Sequence, residues 1–179
     1  IETTRDVEAA LELAALSIAR TVSADMIAIC LPLPPPARGV RIVALYPPTG
    51  AMLAQRGVTL PVTAHPLLAT VLQTGRLERA YTRRKDQTLV SLYRSLGFDK
   101  AGPLLALPLV DNGALLGVML VGNPFSQQRW TERSEQVFQA IGASVAAALA
   151  AACRRESPEQ SAALRKALEE VRRLARLTT

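Results

Sequence analysis

His65 is the only histidine of the chain, and Cys30 and Cys153 are its only cysteines. Any acid–base, nucleophilic or metal chemistry would have to be assembled from these few side chains. His65 precedes Pro66 where a helix is expected to begin, a place that suits an N-cap better than a general base. Neither cysteine lies near it in sequence, and no G-x-S-x-G, P-loop, G-x-G-x-x-G or H-E-x-x-H motif occurs. A zinc site needs several ligands in close array, which one histidine and two distant cysteines do not supply. The carboxylates fall mostly on expected helix surfaces, so spacing nominates no acid–base pair. The expectation is a non-enzyme with two free thiols, no metal and no assigned cofactor.

Charge narrows the partners. The net charge of +6 is carried by arginines spread along the 179 residues, with Arg83-Arg84-Lys85 as the one dense run. Only 4% of residues are aromatic, too few for a base-stacking surface, so nucleic-acid binding is not expected of this segment. A composition of 49% hydrophobic and 20% charged residues is that of a globular domain with a real core. No run of about 18 uninterrupted apolar residues is present, and Ile1-Glu2-Thr3-Thr4-Arg5-Asp6 does not read as a signal peptide. A cytoplasmic setting without a membrane is therefore expected. The missing initiator Met suggests a segment of a longer protein.

The elements that would position side chains are organised around Gly102 to Ala152. Apolar runs Pro103 to Val110 and Ala114 to Gly122 flank Asp111-Asn112-Gly113, and Asn-Gly between apolar runs is a strong hairpin signal because a type I′ turn needs positive φ at both central residues. Both strands are apolar almost without alternation, which predicts cover on both faces of the sheet. Gly117 within the second strand predicts a close approach or a bulge, and Pro108 a bulge or an unpaired position. Thr131 is the expected N-cap of a long helix with Glu132 and Glu135 in its first turn and Phe138, Ile141, Val145, Leu149 and Ala152 on one stripe.

Upstream, Val7, Leu11, Ala14, Ile18 and Val22 predict a helix over about Thr4 to Thr21. Ala24 to Leu33 reads as a central strand and Val40 to Tyr46 as its hairpin partner, with an edge strand near Thr59 to Val62. His65 to Thr74 predicts a short helix closed by Gly75, Arg76 to Tyr81 an extended segment, Thr82 to Thr88 a mobile loop, and Leu89 to Leu96 one or two helical turns. Beyond Pro158, Leu164, Val171 and Leu174 form a short heptad seam. Domain boundaries are drawn at 1–156 and 157–179, the latter a C-terminal helix that either forms a coiled coil or packs on its own domain.

This order of helix, hairpin, crossing segment, hairpin and helix resembles a GAF domain. The resemblance rests on Leu105-Ala106-Leu107-Pro108-Leu109, Gly113, Leu116-Gly117-Val118-Met119-Leu120 and Asn123, with Trp130-Thr131-Glu132 opening the last helix and His65-Pro66-Leu67 and Thr74-Gly75-Arg76 in the crossing segment. It implies an α+β fold, a central antiparallel sheet with helices on both faces and long terminal helices. It also implies a sensory or regulatory module of a signalling protein such as a histidine kinase, a cyclase or a transcriptional regulator, or else a ligand-free dimerisation unit.

Known ligands of the family are checked against residues. Cyclic-nucleotide members carry Asn-Lys, then Phe, then Asp-Glu; here the positions read Asn123-Pro124, Trp130 and Ser134-Glu135, so both members of the expected ion pair are missing. Bilin members place a Cys, commonly followed by His, near the pocket helix, and neither Cys30 nor Cys153 fits. Haem would need His65 turned inward. What remains is an unidentified small molecule, in a pocket whose candidate lining is Met26, Ala28, Cys30, Tyr46, Tyr81, Tyr93, Phe98, Leu105 and Leu107, the tyrosines serving as polar handles. Each of these residues is equally explained as core. The terminal helices are the expected homodimer interface, since the Ala-rich run Ala143 to Ala152 allows close helix approach.

Overall fold

The computed structural model describes residues 2–49, 58–81, 87–153, 166, 169–171 and 173. Of the loop expected over Thr82 to Thr88, residues 82–86 with the Arg83-Arg84-Lys85 run lie outside the described residues, as do the seam residues Leu164 and Leu174. Gln87 and Thr88 are helical and open the helix expected from Leu89.

The chain runs α1 (Glu2–Val22), β1 (Met26–Pro32), β2 (Gly39–Tyr46), β3 (Thr59–Pro61), α2 (Pro66–Thr74), β4 (Glu78–Ala80), α3 (Gln87–Ser95), β5 (Leu104–Asp111), β6 (Ala114–Gly122) and α4 (Glu132–Cys153). Six antiparallel strands are ordered β3-β2-β1-β6-β5-β4. The apolar strands β1 and β6 are central, as expected of strands covered on both faces. The β5–β6 hairpin closes through a two-residue loop, Asn112 at φ 48° and Gly113 at φ 78°, between the paired Asp111 and Ala114. The turn thus adopts the primed geometry that Asn-Gly predicts.

Two layers cover the sheet. α1 and α4 pack on one face, where Leu11, Ala15, Ile18, Ile27, Ile29, Leu105, Leu107, Met119, Val121, Phe138, Ile141 and Val145 form one cluster. α2 and α3 cover the other, where Met26, Ala28, Cys30, Leu68, Val71, Leu92, Tyr93, Phe98, Leu104, Ala106 and Leu120 form a second. Alternate residues of the strands feed alternate clusters, except at a bulge in β2, where Val43 and Ala44 both enter the first. Gly117 sits where β1 comes closest: a Cβ there would overlap the carbonyl oxygen of Cys30. The β5–β6 register shifts between Leu109 and Val110, one position past Pro108.

α4 starts as expected, with Thr131 Oγ1 accepting the Ser134 amide at 3.1 Å and its Phe138–Leu149 stripe buried. Residues Glu132–Ala152 are long and apolar enough to cross a membrane by length and composition, but half of that stretch is buried in the fold, as in a core helix. Val171 is buried in the cluster between the sheet and α1 and α4. This member of the heptad seam therefore packs on its own domain.

Candidate functional site

A cleft of about 380 Å³ opens at the β4 edge of the sheet, walled by α2, β4 and α3. Its lining comprises His65, Pro66, Leu67 and Thr70 from the start of α2, Arg79, Ala80 and Tyr81 from β4 and its end, and Thr88, Leu89 and Leu92 from α3. Leucines, proline and alanine supply an apolar body, and a histidine, two threonines and a tyrosine supply polar groups, the composition usual in small-molecule sites.

Local sequence explains how each wall is set. Pro66 starts α2 without losing a hydrogen bond, since first-turn amides have no helical partner, and Gly75 ends it at φ 62° with its amide on Val71 O. Leu68 and Val71 bury one side of α2, which leaves Leu67 and Thr70 toward the cleft. On α3, Leu89, Leu92 and Tyr93 turn inward.

His65 holds the N-cap position of α2, yet its side chain makes no cap hydrogen bond. The residue is only 3% exposed, and Nδ1 is buried without a hydrogen-bond partner. Burial holds its pKa below the ordinary value by penalising the charged ring. The neutral ring thus carries a buried polar atom with no protein partner, an arrangement that native folds seldom leave without purpose. His65 thus occupies the N-cap position expected from sequence, but it caps without a side-chain hydrogen bond, and the residue belongs to the cleft lining.

Arg79 belongs to the opposite wall. It pairs in register with Leu105, a residue of the helix-layer cluster, so strand alternation sends its side chain toward α4. There Nε and Nη2 donate to the two carboxylate oxygens of Glu135. The guanidinium holds the Glu135 carboxyl below the usual carboxylate range, chiefly through that hydrogen bonding. Tyr81 lies beneath the guanidinium of Arg129, 4.8 Å from its ring centroid.

Of the residues expected to line a pocket, only Tyr81 lies on this cleft. Met26, Ala28, Cys30, Tyr93 and Phe98 are on the same side of the sheet but closed into the core. Tyr93 Oη donates to Pro103 O at 2.9 Å and its ring meets Phe98 edge-on, so the expected polar handle is already satisfied inside the protein. Burial pushes the Cys30 thiol up to about 12, which keeps it protonated. Tyr46, Leu105 and Leu107 belong to the other layer, against α1 and α4, and cannot share a cavity with Met26. For Leu105 and Leu107 the reason is alternation, as Leu104 and Ala106 take the cleft side. For Tyr46 it is a β-bulge: Ile29 pairs with Ala44 but Cys30 with Ile42, so the side chains after Val43 change face.

Sequence reasoning missed Leu67, Thr70, Arg79, Thr88, Leu89 and Leu92 as lining. The usable signal was position: all lie on the crossing segment between the two hairpins. Among the described residues, no three His, Cys, Asp or Glu side chains cluster closely enough to hold a metal ion.

The chain is an α+β domain with a curled antiparallel sheet, a helix pair on one face and a cleft-bearing crossing segment on the other. The chain belongs to the GAF domain family, whose sequence model matches residues 6–149. Solved structures agree in fold. The GAF domain/HD domain protein from Geobacter sulfurreducens superposes with a TM-score of 0.66 at 15% identity, covering 83% of this chain and 95% of that one. The second GAF domain of DevS from Mycobacterium smegmatis gives 0.63 at 18% identity, covering 84% and 99%. The type II free methionine-R-sulfoxide reductase from Thermoplasma acidophilum gives 0.61 at 10% identity, covering 80% and 92%. No curated protein matches the chain by sequence. GAF domains are regulatory and sensory domains of signalling proteins.

Proposed function

We propose that the chain is a non-catalytic sensory domain of a cytoplasmic signalling protein, with a small molecule bound in the α2–β4–α3 cleft as its input. The observation that carries this reading is His65, whose buried, unpartnered Nδ1 belongs to a ring on the wall of a cleft large enough for a metabolite. With the Arg79 guanidinium engaged by Glu135 on the other face of the sheet, the cleft has a histidine, two threonines and a tyrosine and no carboxylate among its lining residues, which suits a compound with an apolar body and a few hydrogen-bonding groups. A histidine kinase, a cyclase or a transcriptional regulator would each be a suitable parent.

Sulfoxide reduction, the activity named for one structural neighbour, is not proposed for this chain.

The second reading, a structural dimerisation module, is favoured by Leu13 on α1, which is 58% exposed, and by the exposed Ala140, Ala143 and Ala147 on α4. The two readings are compatible, since a homodimer through the outer faces of α1 and α4 would give a bound ligand something to reposition.

A metabolite screen by thermal shift tests the sensory reading. A compound at a hundred times its Kd adds about 2.7 kcal/mol to stability, which raises Tm by several degrees in a domain of this size. A stabiliser whose effect is lost in Thr70→Phe is expected; a broad screen without a hit favours the dimerisation module. Sedimentation equilibrium checks the second reading directly, and a chain that stays monomeric at high micromolar concentration would remove it.

A further inference from the structure

We propose that the edge strand β4 couples the cleft to the start of α4 through two side chains, Arg79 gripping Glu135 and Tyr81 lying beneath Arg129. The proposal rests on the sensory reading of the cleft and adds the route by which occupancy would be felt.

β4 is suited to the role by its tethering. It ends the sheet, and only Glu78, Arg79 and Ala80 pair with β5. Edge segments with few pairings are the elements that open most readily. Arg79, Ala80 and Tyr81 nevertheless form a whole wall of the cleft, and α2 packs against the same strand. An occupant that presses on this wall or draws it inward therefore moves one of the two lightly paired edge strands.

The same residues reach the opposite side of the sheet. Arg79 donates from Nε and Nη2 to both oxygens of Glu135, a residue in the first turn of α4 that is itself buried. Glu132, in the same turn, adds its field at Arg79. A two-pronged guanidinium–carboxylate contact has a narrow range of good geometry, so a small shift of β4 alters it. Two residues along, Tyr81 holds the guanidinium of Arg129 over its ring. Arg129 stands next to Trp130, whose ring packs edge-on against Phe138 at 5.1 Å, and Trp130 is followed by the Thr131 cap. Both contacts thus converge on residues 129–135, where the orientation of α4 is set. An occupant biases α4 only by the difference in its affinity for the two strand positions.

The test needs no ligand and uses the full chain. Thr70→Phe and, separately, Leu67→Phe place a ring in the cleft from α2; should either prevent folding by circular dichroism, Thr70→Leu serves as a smaller filler. The readouts are amide hydrogen exchange over residues 132–138 and the emission of Trp130, the only tryptophan. Filling is expected to change exchange in that turn about threefold or more and to shift the emission. The same filling in an Arg79→Gln, Tyr81→Leu background is expected to leave both readouts where that background sets them. Folded, filled variants with wild-type exchange and emission would overturn the coupling, as would changes that persist undiminished in the double background. Because the filler is its own occupant, failure here speaks against coupling alone, while failure of the compound screen speaks against the sensory reading.

Discussion

The two layers on either side of the sheet are built from similar strand residues but finished differently. Between the sheet and α1 and α4 the side chains form one closed apolar cluster. Between the sheet and α2 and α3 the core is equally closed beneath Tyr93 and Phe98, yet it gives way at the β4 edge to a cleft with a buried, unpartnered imidazole nitrogen. The difference teaches where each job resides. The closed apolar packing lies in the helix layer and the inner core, and the recognition proposed above falls at the rim, where short elements carry the lining.

This division predicts a graded set of effects. Phe138→Ala removes a buried ring at the centre of the helix layer and is expected to cost about 3–5 kcal/mol in urea unfolding. Leu67→Ala on the half-buried cleft wall should cost well under that, and equal costs would erase the distinction between the layers. Gly117→Ala forces a methyl onto the Cys30 carbonyl and is expected to cost about 1–3 kcal/mol, the usual range for overpacking; an unchanged Tm would mean that β1 and β6 can part freely. Thr131→Ala removes the cap of α4 and should cost about 1 kcal/mol, with faster hydrogen exchange confined to the first turn.

The smallest expected effect is the dependence on pH. Burial lowers the folded pKa of His65 from its ordinary value of 6.5, so between the two values the unfolded ring binds a proton that the folded one does not. Stability is therefore full above about pH 6.5 and falls as pH drops through that window. Glu135, lowered from 4.5 by Arg79, acts in the same direction but only below that value. Urea titrations at pH 7 and pH 5.5 should differ for the wild type, and the difference should shrink in His65→Gln. A variant with the wild-type slope would assign the dependence elsewhere.

Much of the fold was legible because its signals are local. Asn112-Gly113 specified the turn, Gly117 the close strand contact, Thr131 the helix start and Gly75 the end of α2, each through backbone chemistry that neighbouring residues cannot override. The site was less legible because a pocket depends on which face each strand residue takes. Parity separates Leu105 and Leu107 from Leu104 and Ala106, but parity alone misplaces Tyr46, since the bulge at Val43 reverses it. Tyr93 has the side chain of a binding residue and was nominated on that ground; only tertiary structure brings Pro103 O within its reach. His65 was discounted as a cap because its place beside Pro66 is that of one, and its missing cap bond is a property of the folded chain.

The central claim is that ligand recognition belongs to the rim cleft and not to the inner core. Amide chemical-shift mapping with a stabilising compound from the thermal screen tests it most directly. The account predicts that the largest perturbations fall on His65, Thr70, Ala80, Tyr81 and Leu89, with weaker ones at Glu135. Perturbations centred on Met26, Cys30 and Phe98, with the cleft amides unmoved, would contradict it.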